Sequence, residues 1–147
     1  ASNVYDGSSI DVYLNSVWLN LLSDYVKNMM PSTSIYYAYG SNNSEVGELE
    51  RKVFLGSAKE YGGTNEYCPV LGTRLPTYQT LLSAIPDKEV YWSRSPSTEN
   101  KWYAFYVGRS TYTSSVTSSQ NSSYSFGIQP FLTLPATTPV FADSLIG

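Results

Sequence analysis

The stretch from Tyr91 to Pro130, YWSRSPSTENKWYAFYVGRSTYTSSVTSSQNSSYSFGIQP, decides how the remainder of the chain is read. From Val90 onward helical periodicity is absent, and the β-rich pieces 90–92, 102–107, 112–116 and 126–134 predict an antiparallel sheet with polar loops. In the piece Trp102-Tyr-Ala-Phe-Tyr-Val107 successive side chains face opposite sides, so Tyr103, Phe105 and Val107 share one face while Trp102, Ala104 and Tyr106 share the other. Between Tyr91 and Phe126 there are eleven Ser and five Tyr but only four charged residues, Arg94, Glu99, Lys101 and Arg109. Tyr offers a large amphipathic contact area with two torsions to freeze, and Ser and Asn offer adaptable hydrogen bonding, so the mixture reads as a binding surface.

Upstream lies the helical part. Residues 8–30 carry apolar side chains at Ile10, Leu14, Val17, Trp18, Leu21, Leu22, Tyr25, Val26 and Met29, a spacing that predicts one long helix with a core-facing stripe. Ser8 is its expected N-cap, with Asp11 favourably placed near the positive end, and Pro31 stops it. Residues 35–39 predict a strand, 40–47 a polar loop holding Glu45, with Glu48 and Glu50 just beyond, and 52–55 a further ordered segment. Ser57 and Glu60 have capping-box spacing before Gly62 and Gly63, and a short helix is expected from Thr77, with Leu81, Leu82 and Ile85 turned inward and Pro86 at its close. Helices first and strands afterwards make the fold class α+β, with one long and one short helix packed on an antiparallel sheet.

Composition narrows the function. A chain of 147 residues is expected to form one domain with a real core. Charged residues make up only 14%, the net charge is −3 and the pI is about 4.8, without a basic cluster, so nucleic acid is not an expected partner. The chain has a single cysteine, Cys68, and no histidine, which excludes an intrachain disulfide, a Cys/His metal cluster and His-based nucleophilic triads within one chain. No cofactor or metal is expected. No apolar run approaches a transmembrane span, so direct membrane insertion is not expected. The start at Ala1 reads as a piece of a longer polypeptide.

Four pieces together resemble a known family: Tyr5-Asp-Gly-Ser-Ser-Ile-Asp-Val-Tyr-Leu-Asn15, Lys52-Val-Phe-Leu-Gly-Ser-Ala-Lys-Glu-Tyr61, Tyr91-Trp-Ser-Arg-Ser-Pro96 and Gly127-Ile-Gln-Pro130. They are similar to bacterial and phage domains of C-type lectin fold with a W-x-R-S-P motif and a terminal G-V-R-P. Thr73-Arg-Leu-Pro-Thr77 is similar to an element of the related formylglycine-generating-enzyme-like domains. Gln129 stands where the family usually has Arg, and the strand that normally precedes the Tyr5 segment is missing. The remaining arginine, Arg94, is therefore expected to tie backbone carbonyls together, a structural role that suits its planar five-donor group.

The resemblance extends to the variable proteins of diversity-generating retroelements, in which template adenines are mutagenised and Asn codons become Tyr, Ser or Asp. It implies a ligand- or receptor-binding domain on a phage tail or a bacterial surface, located on the virion or outside the cell. The expected partner is a protein receptor or a surface glycan, with homo-oligomerisation through the parent protein as a further expectation. Calcium-dependent sugar binding is not expected, since E-P-N, Q-P-D and W-N-D are all absent. If the strands pair as hairpins, three loop groups converge on one patch: Ser97, Thr98 and Asn100; then Arg109, Ser110 and Tyr112; then Ser119, Asn121, Ser122 and Tyr124. The resemblance implies that Phe105 and Val107 are buried, which leaves Trp102 and Tyr106 for the exposed face, and Trp102, Tyr106, Arg109 and Tyr112 are the expected anchors. Two alternatives stand beside this one: a structural module of a fibre or surface protein, and an enzyme of the formylglycine-generating type, whose cysteine pair Cys68 alone does not supply.

Overall fold

The structure, a computed structural model, describes residues 3–40, 42–86, 88–109 and 114–138, without the side chains of 109 and 114–120. The fold is α+β with few helices and small antiparallel sheets.

Ser8 caps the first helix as its sequence predicts: its Oγ accepts from the Asp11 N–H at 3.2 Å and opens α1, Ser9–Tyr13. The helix is not the single long one expected. A π-helical segment Leu14–Trp18 and a 3-10 turn Leu19–Leu21 follow, Leu22 is extended, and Ser23 caps a second helix, α2, Asp24–Met29, by accepting from the Val26 N–H. A π turn accommodates an extra residue, which shifts the phase of the apolar stripe. Leu14 is buried and Trp18, Leu22 and Val26 pack on the core, while Val17, Leu21 and Tyr25 are turned to solvent, Leu21 being 73% exposed.

Strands β1, Thr33–Gly40, and β2, Asn43–Arg51, form an antiparallel hairpin with Gly40 opposite Asn43. The polar loop expected over 40–47 is thus largely a strand. Its sequence lacks alternation because β2 is exposed along most of its length, with Leu49 opposite Ile35 as its main inward contact, and Glu45, Glu48 and Glu50 stand in solvent on this strand. Asn42 takes the left-handed conformation (φ 66°) that such a tight turn requires.

Strand β3, Val53–Leu55, is fully buried. The capping box after it is reciprocal: the Ser57 N–H donates to Glu60 Oε2 at 2.9 Å and the Glu60 N–H donates to Ser57 Oγ at 3.0 Å. Helix α3, Tyr78–Ser83, follows with Leu82 and then Ile85 buried. Strands β4, Val90–Pro96, β5, Tyr103–Arg109, and β6, Ser114–Asn121, make a three-stranded antiparallel sheet, and β7, Pro130–Leu132, returns to pair with β3. Gly127 bridges Tyr91, and a side chain at 127 would run into the Tyr91 ring, so only glycine fits there.

The β4–β5 sheet is covered on both faces. Trp92, Ala104 and Tyr106 belong to a core built with Tyr5, Leu14, Ile35 and the β3 side chains, while Val107 and Tyr91 belong to a second core with Tyr61, Leu82 and Ile85. Phe105 and Val107 are buried as expected. Tyr106 is not on an exposed face: it is half-buried, its ring 5.2 Å from that of Phe126, because the face opposite Phe105 is itself roofed by the N-terminal segment.

Candidate functional site

Arg94 organises the framework beneath the loops. Its side chain is fully buried and four donations are satisfied: Nε to the Tyr36 carbonyl (2.7 Å), Nη1 to the Leu55 carbonyl (2.8 Å) and to Glu60 Oε2 (2.9 Å), and Nη2 to Glu60 Oε1 (2.7 Å). A guanidinium in that position joins β1, β3 and the capping-box turn in one knot, the structural role the sequence predicts for it. Gln129 accepts from the Tyr61 hydroxyl. Burial raises the Tyr61 hydroxyl above its ordinary range.

Above this knot, the β4–β5 connection and the end of β6 meet. Asn3 is the tie that sequence reasoning missed: its buried Nδ2 lies within hydrogen-bond distance of the carbonyls of Ser97 (3.2 Å), Asn100 (3.2 Å) and Tyr103 (2.8 Å). The Asn100 Oδ1 accepts from the Trp102 N–H at 2.9 Å and the Asn121 Oδ1 from the Ser123 N–H at 3.0 Å, two Asx turns facing each other. The Ser122 N–H donates to the Trp102 carbonyl at 2.7 Å, which closes the rim. On this fixed backbone Trp102 is 40% exposed and Tyr124 56% exposed. Lys101 Nζ lies 4.9 Å from the Trp102 ring centroid, and Phe126 joins the Tyr124, Tyr106 and Trp92 rings from below.

The predicted site residues therefore divide. Thr98, Asn100, Trp102, Asn121, Ser122 and Tyr124 come together. Ser97 lies in the same loop but is 1% exposed, and its hydroxyl accepts from the Glu99 N–H, so it supports the loop from inside. Arg109 does not join them. The β5 register puts it opposite Ser114, at the other end of the strand from Tyr103 opposite Asn121, roughly 20 Å away at about 3.3 Å per residue. Antiparallel pairing brings alternate strand ends to opposite sides, so Arg109 does not meet the groups around Asn100 and Asn121 on one patch. Ser110 and Tyr112 lie outside the described residues, as do the side chains of Arg109 and Ser119.

A second residue missed by sequence reasoning is Tyr67. Its carbonyl accepts from both the N–H and the hydroxyl of Thr98, and its own exposed hydroxyl is held above the usual range by the charges of Glu66 and Glu99. No local pattern marks either residue, since each acts through the backbone of a distant loop. Cys68 next to it is partly buried, with the thiol 3.6 Å from the Pro69 carbonyl, and burial pushes its pKa up to about 11.

Among the described residues no group of three or more His, Cys, Asp or Glu is gathered to hold a metal ion, and no helix is long and apolar enough to cross a membrane. No curated protein and no solved structure matches the chain. One family model, described as a domain of unknown function (DUF6273), matches residues 1–136. With that match running from the Asn3 tie through the Arg94 knot to β7, the chain belongs to the DUF6273 domain family.

Proposed function

We propose that this chain is a recognition module of C-type lectin-like fold without chemistry of its own, binding a protein receptor or a surface glycan from a phage tail or a bacterial surface. The observation that carries the reading is the rim itself: two exposed aromatic side chains, Trp102 and Tyr124, stand on backbone immobilised by Asn3, Asn100 and Asn121. Aromatic anchors on pre-ordered loops lose little entropy on binding, which is how recognition surfaces gain affinity. The Ser- and Tyr-rich run that supplies the rim further supports diversification by a retroelement. A catalytic role is not favoured: the Arg94–Glu60 pair is spent internally and the Cys68 thiol is held protonated at neutral pH.

Capture of bacterial surface proteins and glycans on the immobilised chain tests this, with Trp102→Ala and Tyr124→Ala as controls. The reading stands if a retained ligand is lost with either substitution, and falls if ligands bind both variants as well as the parent. Sequencing the genomic neighbourhood for a reverse transcriptase and an adenine-divergent copy of the codons for 91–124 tests the diversification separately. The structural-module alternative draws on the exposed stripe Val17, Leu21 and Tyr25, which a neighbouring domain or protomer would cover. Self-association in solution, abolished by Leu21→Ser, would favour it.

A further inference from the structure

Beside the rim, a cavity of about 430 Å³ lies between the N-terminal segment 3–10 and the β4–β5 sheet. Its apolar walls are Tyr5, Ile10, Leu55, Trp92 and Ala104. Ser122, whose N–H closes the rim on Trp102, and Asn3, which ties the rim's other loop, both line it, so the cavity adjoins the aromatic rim. The volume falls in the range of sites that take a small ligand or a large side chain.

The polar groups in the wall decide what it can hold. The Ser93 hydroxyl donates to the Phe105 carbonyl at 2.8 Å, and the Tyr5 hydroxyl accepts from the Leu55 N–H at 3.2 Å. Ser8 Oγ accepts from the Asp11 N–H, Asp6 is paired with Arg51 at 2.9 Å, and Arg94 is engaged as described. Each of these groups has a partner within the chain. The capacity left over, on the second oxygen of Asp6 and the hydroxyls of Ser8, Ser9 and Ser122, sits on side chains partly or fully open to solvent, whereas the buried walls Tyr5, Leu55 and Trp92 add only the Tyr5 O–H. A hydroxyl-rich sugar pressed against those buried walls would shed water with little to replace it, at a cost of about 1–3 kcal/mol for each unpaired group, whereas an apolar side chain loses nothing comparable.

We infer that the cavity is a specificity pocket for one protruding apolar or aromatic side chain of a protein ligand that the rim engages. The inference rests on the recognition reading and narrows it from receptor or glycan to protein. It assigns to Trp92 and Ala104 the floor of a binding site.

The test is a nuclear magnetic resonance titration of the isotope-labelled chain with N-acetyl-L-phenylalaninamide and N-acetyl-L-leucinamide, with N-acetylglucosamine in parallel. Saturable shifts of the Trp92 indole and of the Ala104 and Ser122 amides are expected with the amides and not with the sugar. Ala104→Leu, which fills the void, is expected to weaken amide binding about tenfold or more, equivalent to 1.4 kcal/mol or above. Ser122→Leu, nearer the rim, does the same if Ala104→Leu does not fold. The inference is overturned if neither amide produces saturable shifts, if the sugar shifts the same resonances equally, or if a folded, filled variant binds as before. No receptor enters the titration, so a pocket that refuses the amides leaves the rim reading untouched, and a rim that captures no receptor leaves amide binding to be judged by itself.

Discussion

The buried knot around Arg94 and the rim around Trp102 draw on the same polar vocabulary and use it in opposite ways. In the knot, Arg94, Asn3 and Ser57 spend hydrogen bonds on backbone carbonyls of distant segments, and Glu60 is held by the Arg94 guanidinium. On the rim, Asn100 and Asn121 spend theirs on their own turns, which leaves Trp102 and Tyr124 facing outward. A Ser/Asn-rich stretch is thus framework or contact surface according to where its partners lie, not according to composition.

The comparison breaks first at Arg94. Arg94→Met leaves Glu60 without its partner and two carbonyls unbound, and is expected to cost about 3–5 kcal/mol in denaturant unfolding. A loss below about 1 kcal/mol would show that the knot is not what holds β1 to β3. At the rim the expectation reverses. Trp102→Ala should change stability by no more than about 0.5 kcal/mol, yet cost about 2 kcal/mol in affinity for a captured ligand. Equal effects on both would erase the distinction between the two regions.

Asn3→Ala sharpens the boundary, because Asn3 belongs to the knot by burial and to the rim by its contacts. A stability loss of roughly 1–3 kcal/mol is expected, together with faster amide exchange at Tyr103, whose N–H donates within the loop that Asn3 fastens. The smallest effect concerns alkali. The Cys68 thiol has a folded pKa of about 11 against an ordinary 9.0, so the unfolded chain ionises first. Its contribution to stability is complete below pH 9 and declines as pH rises from there towards 11. Buried Tyr5 and Tyr61 add the same slope above their ordinary 10.0. Cys68→Ala should flatten the first part of that decline in a pH series of melting temperatures.

What could be read in advance was local. The Ser8 cap and the Ser57–Glu60 box each depend on residues three apart, and each is found; alternation put Phe105 and Val107 on one face, and the resemblance chose that face as the buried one. Arg94 was legible through family resemblance and the chemistry of its donors. The break at Leu22–Ser23 was not, because nine apolar residues fit a helical period whether or not a π turn intervenes. Strand β2 was hidden because a ribbon wet on most of its length needs no alternation. For the site, residues around Trp102 and Tyr124 were legible from composition, but their separation from Arg109 follows from strand direction, and Asn3 and Tyr67 enter only through long-range backbone contacts.

The placement of the tryptophans gives the molecule a built-in optical readout. Trp92 is 6% exposed at the floor of the cavity, while Trp102 stands in water beneath a lysine ammonium. With the third, half-buried Trp18 replaced by Phe, a charged quencher such as iodide would therefore extinguish the emission of the rim more strongly than that of the floor. Events at the rim and at the cavity floor could be followed in one cuvette without attaching a dye.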